Sequence, residues 1–226
     1  DPEQLLALLF YQELQKQGVR VDGGSSSMRL TPQLRQTATD KRFLIHTHMG
    51  QKLEDIVYWT NQRSVNMYAE GLLRQIGAST YGVGTYENGK RVLDSLFLKW
   101  QLGPCGIVDG SGLSKVNRMS AAQFVKLLGQ TTQASYASTY FKSLPIAGQT
   151  GTVKNLCKGQ AGEGKVHAKS GSIHGIKSYA GFVDSASGHR IAFAIVANDY
   201  PVSGAAMSKK MEPFLNSLAT YQVQPR

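Results

Sequence analysis

Three short apolar runs near the end of the chain, residues 166–172, 178–184 and 190–198, limit what it can fold into. The third, Arg190-Ile-Ala-Phe-Ala-Ile-Val-Ala-Asn198, is apolar at both alternating positions, the pattern of a strand covered on both faces. Asp184-Ser-Ala-Ser-Gly188 between the second and third runs is hairpin chemistry. The spacing therefore predicts three consecutive antiparallel strands. The first run ends in Lys169-Ser170-Gly171-Ser172. An ammonium, two hydroxyls and a glycine that lets another backbone come close would sit at one strand end. That combination suits a bound carboxylate or oxyanion. The local alternative is a solvated edge strand.

The rest of the chain is mostly helical in pattern. Residues 3–17 place Leu5, Leu6, Leu9, Phe10 and Leu14 on one stripe, with Gly18 as the stop. Gly23-Gly-Ser-Ser-Ser27 is a loop, and residues 41–48 read as a strand. Leu53, Ile56, Val57 and Thr60 mark a second helix, and a third runs from about Asn66 to Ile76 with Gly77 after it. The polar stretch Gln62-Arg-Ser-Val-Asn66 separates them. Val92, Leu93, Leu96, Phe97 and Trp100 mark an amphipathic helix closed by Gly103. Ser120 with Gln123 forms a capping-box pattern for a helix through Leu128. Residues 134–143 read as a short helix, residues 144–165 as a glycine-rich loop, and residues 207–218 as a closing helix able to cover the sheet. Neither a repeat nor a linker divides the chain, which reads as a single domain over residues 1–226.

The 226 residues carry a formal net charge of +10, yet no basic block is longer than Lys209-Lys210. Aromatic residues are not interleaved with the basic ones, which argues against a nucleic-acid partner. Attraction to anionic cell-wall polymers fits the charge equally well. No run approaches the length of a membrane span. The two cysteines, Cys105 and Cys157, form no CxxC or Cys/His cluster, and their pairing is open. His46 and His48 alternate in the strand-like run, but no third ligand completes a metal site. The chain begins at Asp1-Pro2 and enters a helix pattern almost at once, so it reads as a processed product or a cut piece.

Two polar groupings stand out between the helices. Ser64-Val-Asn66 is either an N-cap serine with a turn asparagine, or a proton-relaying hydroxyl beside an amide that fixes a substrate. Asp109-Gly-Ser-Gly-Leu-Ser114 lacks the Gly-Lys-Ser/Thr ending of a phosphate loop and reads as a tight loop closing over a neighbouring helix. Ser111 does not fit a G-x-S-x-G elbow, so no hydrolase triad is supported.

Taken in order, these stretches resemble the S13 family of penicillin-binding proteins, the D-alanyl-D-alanine carboxypeptidases and endopeptidases. The resemblance rests on Arg63-Ser-Val-Asn-Met-Tyr-Ala-Glu70, Asp109-Gly-Ser-Gly-Leu-Ser114 with Asn117, and Leu144-Pro-Ile-Ala-Gly148. Ala168-Lys-Ser-Gly-Ser172, Tyr179-Ala-Gly-Phe-Val183 and Ala192-Phe-Ala-Ile-Val-Ala-Asn198 continue it. It covers about residues 3 to 200. It implies an α+β fold: an incomplete penicillin-binding transpeptidase-like core, an antiparallel sheet with helices on both faces. By motif position, Ser64 would relay a proton, Asn66 would hold the substrate amide and Lys169 would set the positive potential. Ser170, serine where the family usually has threonine, would bind the terminal carboxylate; Gly171 would allow close approach; the Ser172 N–H would serve an oxyanion hole.

The family nucleophile lies in a Ser-x-x-Lys motif, and no lysine here has a serine three residues before it. The chain therefore resembles the carboxyl-terminal half of such an enzyme, inactive alone. The implied partners are peptidoglycan stem peptides, β-lactam antibiotics and the missing amino-terminal half, in a periplasmic or otherwise extracytoplasmic setting. No cofactor is implied. The rival reading is a non-catalytic peptidoglycan-binding module or pseudoenzyme.

Overall fold

The three apolar runs form one antiparallel sheet in the order β1-β2-β3, with β1 spanning Val166–Ile173, β2 Ile176–Asp184 and β3 Arg190–Asn198. This computed structural model describes residues 1–27, 29–30 and 46–222. They divide into two compact units, Asp1–Gly50 and Gln51–Arg226. The strands run one or two residues further than the apolar pattern at the β1–β2 turn, where Gly175 takes φ +74. The β2–β3 hairpin closes at Gly188, φ +76. The register pairs Lys169 with Ala180, Ser170 with Tyr179 and Ser172 with Lys177.

Alternate residues of each strand enter different cores, which explains the continuous apolar runs. On one face Val166, Ala168, Tyr179, Val183 and Phe193 pack against Met211, Leu215 and Ala219. These three belong to the closing helix, Gly204–Thr220. On the other face Phe182 packs with Leu128 and Leu144, flanked by Tyr140, Phe141, Ala180 and Ala192. Leu128 lies on the helix Ala121–Thr131, whose N-terminus carries the expected capping box: the Ser120 hydroxyl accepts from Gln123 N and the Gln123 side chain accepts from Ser120 N.

In chain order, the helices among the described residues are α1 (Pro2–Lys16), α2 (Leu53–Arg63), α3 (Asn66–Tyr81), α4 (Tyr86–Lys99), α5 (Ala121–Thr131), α6 (Ala137–Ser143) and α7 (Gly204–Thr220). A single 3₁₀ turn, Gly151–Val153, lies in the glycine-rich loop. In the first unit, Asp1 caps α1 by accepting from Glu3 N and Gln4 N. The apolar stripe of α1 is not buried: Leu5, Leu6, Leu9 and Phe10 are all more than half exposed. Of the expected strand at 41–48, residues 41–45 lie outside the described residues; His46 and His48 are exposed and in no regular element.

One expectation needs correction in the second unit. Gly77 does not end α3, which continues to Tyr81. It is instead a contact point, because a Cβ there would sit 2.6 Å from Gly89 N on α4, and one on Gly89 would collide with the Leu73 carbonyl. Only the few residues between Tyr81 and Tyr86 connect the two helices. Both cysteines are free thiols; Cys157 is fully buried, and burial pushes its pKa up to about 12.

The close α3–α4 approach gives a stability prediction. Gly89→Ala should destabilise the protein by about 2–3 kcal/mol through overpacking. Gly71→Ala, on α3 with open space around it, should instead stabilise by about 0.5–1 kcal/mol. Urea unfolding of both variants checks the contrast; equal effects would rule out the tight helix contact.

Candidate functional site

The junction between α2 and α3 is not capped as a serine there predicts. Ser64 is the C-cap of α2 in a left-handed conformation, φ +54, and Val65 stands at the N-cap of α3 without a side-chain bond. A left-handed non-glycine residue costs about 1–2 kcal/mol, so its surroundings must hold it. Gln62 is buried and donates to the Ser143 carbonyl at 3.2 Å, while Asn61 donates to the Ser143 hydroxyl at 2.7 Å. Gly151 lies flush on the same turn: a Cβ there would approach Gln62 Oε1 to 2.7 Å. The last turn of α2 is thus wedged between α6 and the 3₁₀ turn.

With its hydroxyl released from capping, Ser64 accepts a hydrogen bond from Lys169 Nζ at 2.8 Å, across 105 residues of sequence. Lys169 also donates to the Ser170 carbonyl at 2.6 Å. No carboxylate lies within ion-pair distance of the ammonium among the described residues, and burial lowers its pKa below the ordinary lysine value. The structure thus brings Ser64 and Lys169 together as expected. Asn66, the first residue of α3, lies two residues from Ser64; its side chain is exposed and bonds to no described residue.

The edge of β1 completes the geometry. Pro145 to Ala147 run beside its first half, where Ala168 N donates to the Pro145 carbonyl and the Val166 carbonyl accepts from Ala147 N. Backbone groups alternate along a strand, so Ser170 and Ser172 also turn their N–H groups to the outer edge. Among the described residues, nothing pairs with that edge beyond Ala168. The Ser170 hydroxyl donates to Thr152 Oγ1 at 2.8 Å. A Cβ on Gly171 would meet the Ser178 hydroxyl, which would have to rotate away. Thr152 is the partner that sequence reasoning missed. It lies in Gln149-Thr-Gly-Thr152, whose sole local signal is a glycine.

The Asp109 loop is structural, as expected. Asp109 accepts from Gly112 N, Ser114 N and the Asn117 side chain, and Glu70 on α3 accepts from Gly110 N and Ser111 N. Burial tends to raise the Glu70 pKa, but the bonds from Ser111 and Gly110 outweigh it and hold the carboxyl below its ordinary value. A cleft of about 710 Å³ opens elsewhere, between α5, α6 and β2–β3, lined by Tyr140, Phe141, Phe182 and Arg190 but not by Ser64 or Lys169.

The arrangement offers a half-buried cation on a hydroxyl, an exposed amide and a strand edge whose N–H groups are unpaired among the described residues. That set can hold an extended peptide ending in a carboxylate and donate a proton to a leaving amine.

Comparison with known proteins agrees with the motifs. Residues 1–221 match the family model described as the D-Ala-D-Ala carboxypeptidase 3 (S13) family. A D-alanyl-D-alanine carboxypeptidase of an Actinomadura species is 33% identical over 98% of this chain and 41% of its own length. A penicillin-sensitive carboxypeptidase A of Dictyostelium discoideum is 28% identical over 89% of this chain and 39% of its own. The chain therefore spans about two fifths of the length of these relatives. The crystal structure of penicillin-binding protein 4 from Haemophilus influenzae superposes with a TM-score of 0.83 at 24% identity, covering 96% of this chain and 49% of that one. That likeness bears on the fold alone.

Burial of Lys169 has a consequence for stability. Its folded-state pKa lies below the unfolded value, so between the two the unfolded chain binds the extra proton. Stability contributed by this group is therefore lowest below the folded pKa and rises with pH up to the unfolded value near 10.5. Lys169→Met should flatten this alkaline rise, measured by urea unfolding from pH 7 to 10.5. An unchanged pH slope would contradict the burial of the ammonium.

Proposed function

The chain belongs to the D-Ala-D-Ala carboxypeptidase 3 (S13) family, and from that premise we propose that it is the substrate-holding part of a serine-type D-alanyl-D-alanine carboxypeptidase or endopeptidase. The substrates in this reading are peptidoglycan stem peptides, and β-lactams are covalent inhibitors of the whole enzyme. The single observation that carries it is the 2.8 Å bond between Lys169 and Ser64. Two motifs far apart in sequence meet there as one scissile amide requires.

In this reading the residues take the following roles. A substrate lies extended along the open edge of β1, with its terminal carboxylate on the Ser170 hydroxyl. The Ser172 N–H faces the developing oxyanion, and Gly171 keeps the strand flat enough for the approach. Asn66 fixes a substrate amide. Ser64 accepts from Lys169, which leaves its own proton directed to the departing amine; Lys169 then reprotonates Ser64 as the amine leaves.

An acyl-serine route needs a nucleophile with an adjacent base, and no Ser-x-x-Lys occurs in the 226 residues. The reading assigns that pair to an amino-terminal half of the same protein, with both units described above belonging to the carboxyl-terminal half of one transpeptidase-like domain. Two surfaces support a further partner segment. The outer edge of β3 has no neighbouring strand among the described residues, and the apolar face of α1 is exposed. Peptidoglycan lies outside the cytoplasm, so the setting is extracytoplasmic. The second reading, a binding module without catalysis, is favoured by the same lack of a nucleophile.

The isolated chain should not form a covalent penicillin adduct, because removing the nucleophile costs about 10⁶ in turnover in a serine hydrolase. Intact mass after incubation with a fluorescent penicillin checks this. A stoichiometric adduct on Ser64, Ser111 or Ser170 would place the nucleophile in this half. The protein bearing both halves should be acylated, and Lys169→Ala in it should slow acylation by at least about a hundredfold; if neither protein is labelled, the binding-module reading stands.

A further inference from the structure

The carboxylate end of the proposed site faces a second cation that no sequence motif marks. Lys177 lies on β2 directly opposite Ser172, and Tyr179 lies opposite Ser170. Residues directly opposite in a sheet share a face, so Ser170, Ser172, Lys177 and Tyr179 line one surface. The Lys177 ammonium leans over the Tyr179 ring, 5.5 Å from its centroid. It therefore leans from the Ser172 row toward the Ser170 row. A lysine side chain is longer than the spacing of about 4.8 Å between neighbouring strands, so the ammonium reaches the β1 edge without backbone movement.

Among the described residues the ammonium has no hydrogen-bond acceptor. Lys177 makes no hydrogen bond or ion pair with a described residue; its contact is the aromatic face. No carboxylate of a described residue lies within ion-pair distance of the ammonium. Glu212 on α7 accepts from Cys157 N and Gln160 Nε2, and Asp199 beyond β3 lies beside Gly175 at the turn. A half-buried cation over an aromatic ring, on the sheet face that carries Ser170 and Ser172, is a site short of one anion.

We propose that Lys177 is a specificity-determining residue that holds the free terminal carboxylate of the peptide, acting with Ser170 from the neighbouring strand. This rests on the substrate-holding reading above. Lys169 is committed to Ser64 and to the Ser170 carbonyl, so Lys177 supplies the charge that separates a free acid from an amide. An enzyme that requires a free carboxyl end needs such a group, because a hydroxyl alone bonds an amide oxygen almost as well.

The test is an NMR titration of the 226-residue chain with a peptide ending in D-Ala-D-Ala and with the same peptide ending in a carboxamide. The wild-type chain should prefer the free acid by about tenfold, the ratio that a hydrogen bond to a charged group supplies. Lys177→Met, which keeps the stem over Tyr179, should reduce the preference below about twofold, and Lys177→Arg should restore it. If Lys177→Met keeps the tenfold preference, Lys177 is not the carboxylate residue, while the substrate-holding reading survives. If the wild-type chain binds neither peptide or does not discriminate between them, the substrate-holding reading fails and the Lys177 assignment falls with it.

Discussion

The hydrogen bond from the Lys169 ammonium to the Ser64 hydroxyl is the contact on which the rest of the site depends. It joins the edge of the sheet to a break between two helices. Burying an ammonium is costly without acceptors, and here the acceptors are a hydroxyl and the Ser170 carbonyl. The hydroxyl is available because Ser64 occupies a left-handed position that withdraws it from capping α3. That strained position is held in turn by the bonds of Asn61 and Gln62 to Ser143, and by Gly151 lying against Gln62. Sheet, helix junction and glycine-rich loop are therefore one mechanical unit around a single ion.

The same loop that wedges the junction also reaches the other side of the strand. Gly151 touches α2, and Thr152, the next residue, accepts from Ser170. The 3₁₀ turn thus sets the spacing between the Ser64 junction and Ser170. Loops of this kind carry function because a rigid scaffold aims them. Here the scaffold includes the buried Val153 and the clasp of α7, where Asn216 accepts from Gly162 N.

Features written in local pattern were legible in the sequence. The three strands, the α5 capping box, the Asp109 loop and the closing helix all follow from period, caps and turn chemistry within a dozen residues. The approach of Lys169 to Ser64 was legible only through resemblance, since no local rule joins residues 105 apart. Other features were not legible for identifiable reasons. Gly77 looks like a helix stop in one dimension, but its lack of a side chain serves contact with Gly89 on another helix. Ser64 looks like an N-cap until the left-handed backbone turns its hydroxyl outward. Thr152 and Lys177 matter through cross-strand or cross-loop neighbours, which the chain order conceals. The apolar stripe of α1 predicted burial, yet in its own compact unit it remains exposed.

The most direct measurement is a double-mutant cycle on unfolding free energy with Ser64→Ala, Lys169→Met and the double variant. If the Lys169–Ser64 bond organises the site, the two changes should be coupled by about 1–2 kcal/mol, as expected for a hydrogen bond to a charged group. Additivity within about 0.5 kcal/mol would mean that the two residues are merely adjacent, and would contradict the account.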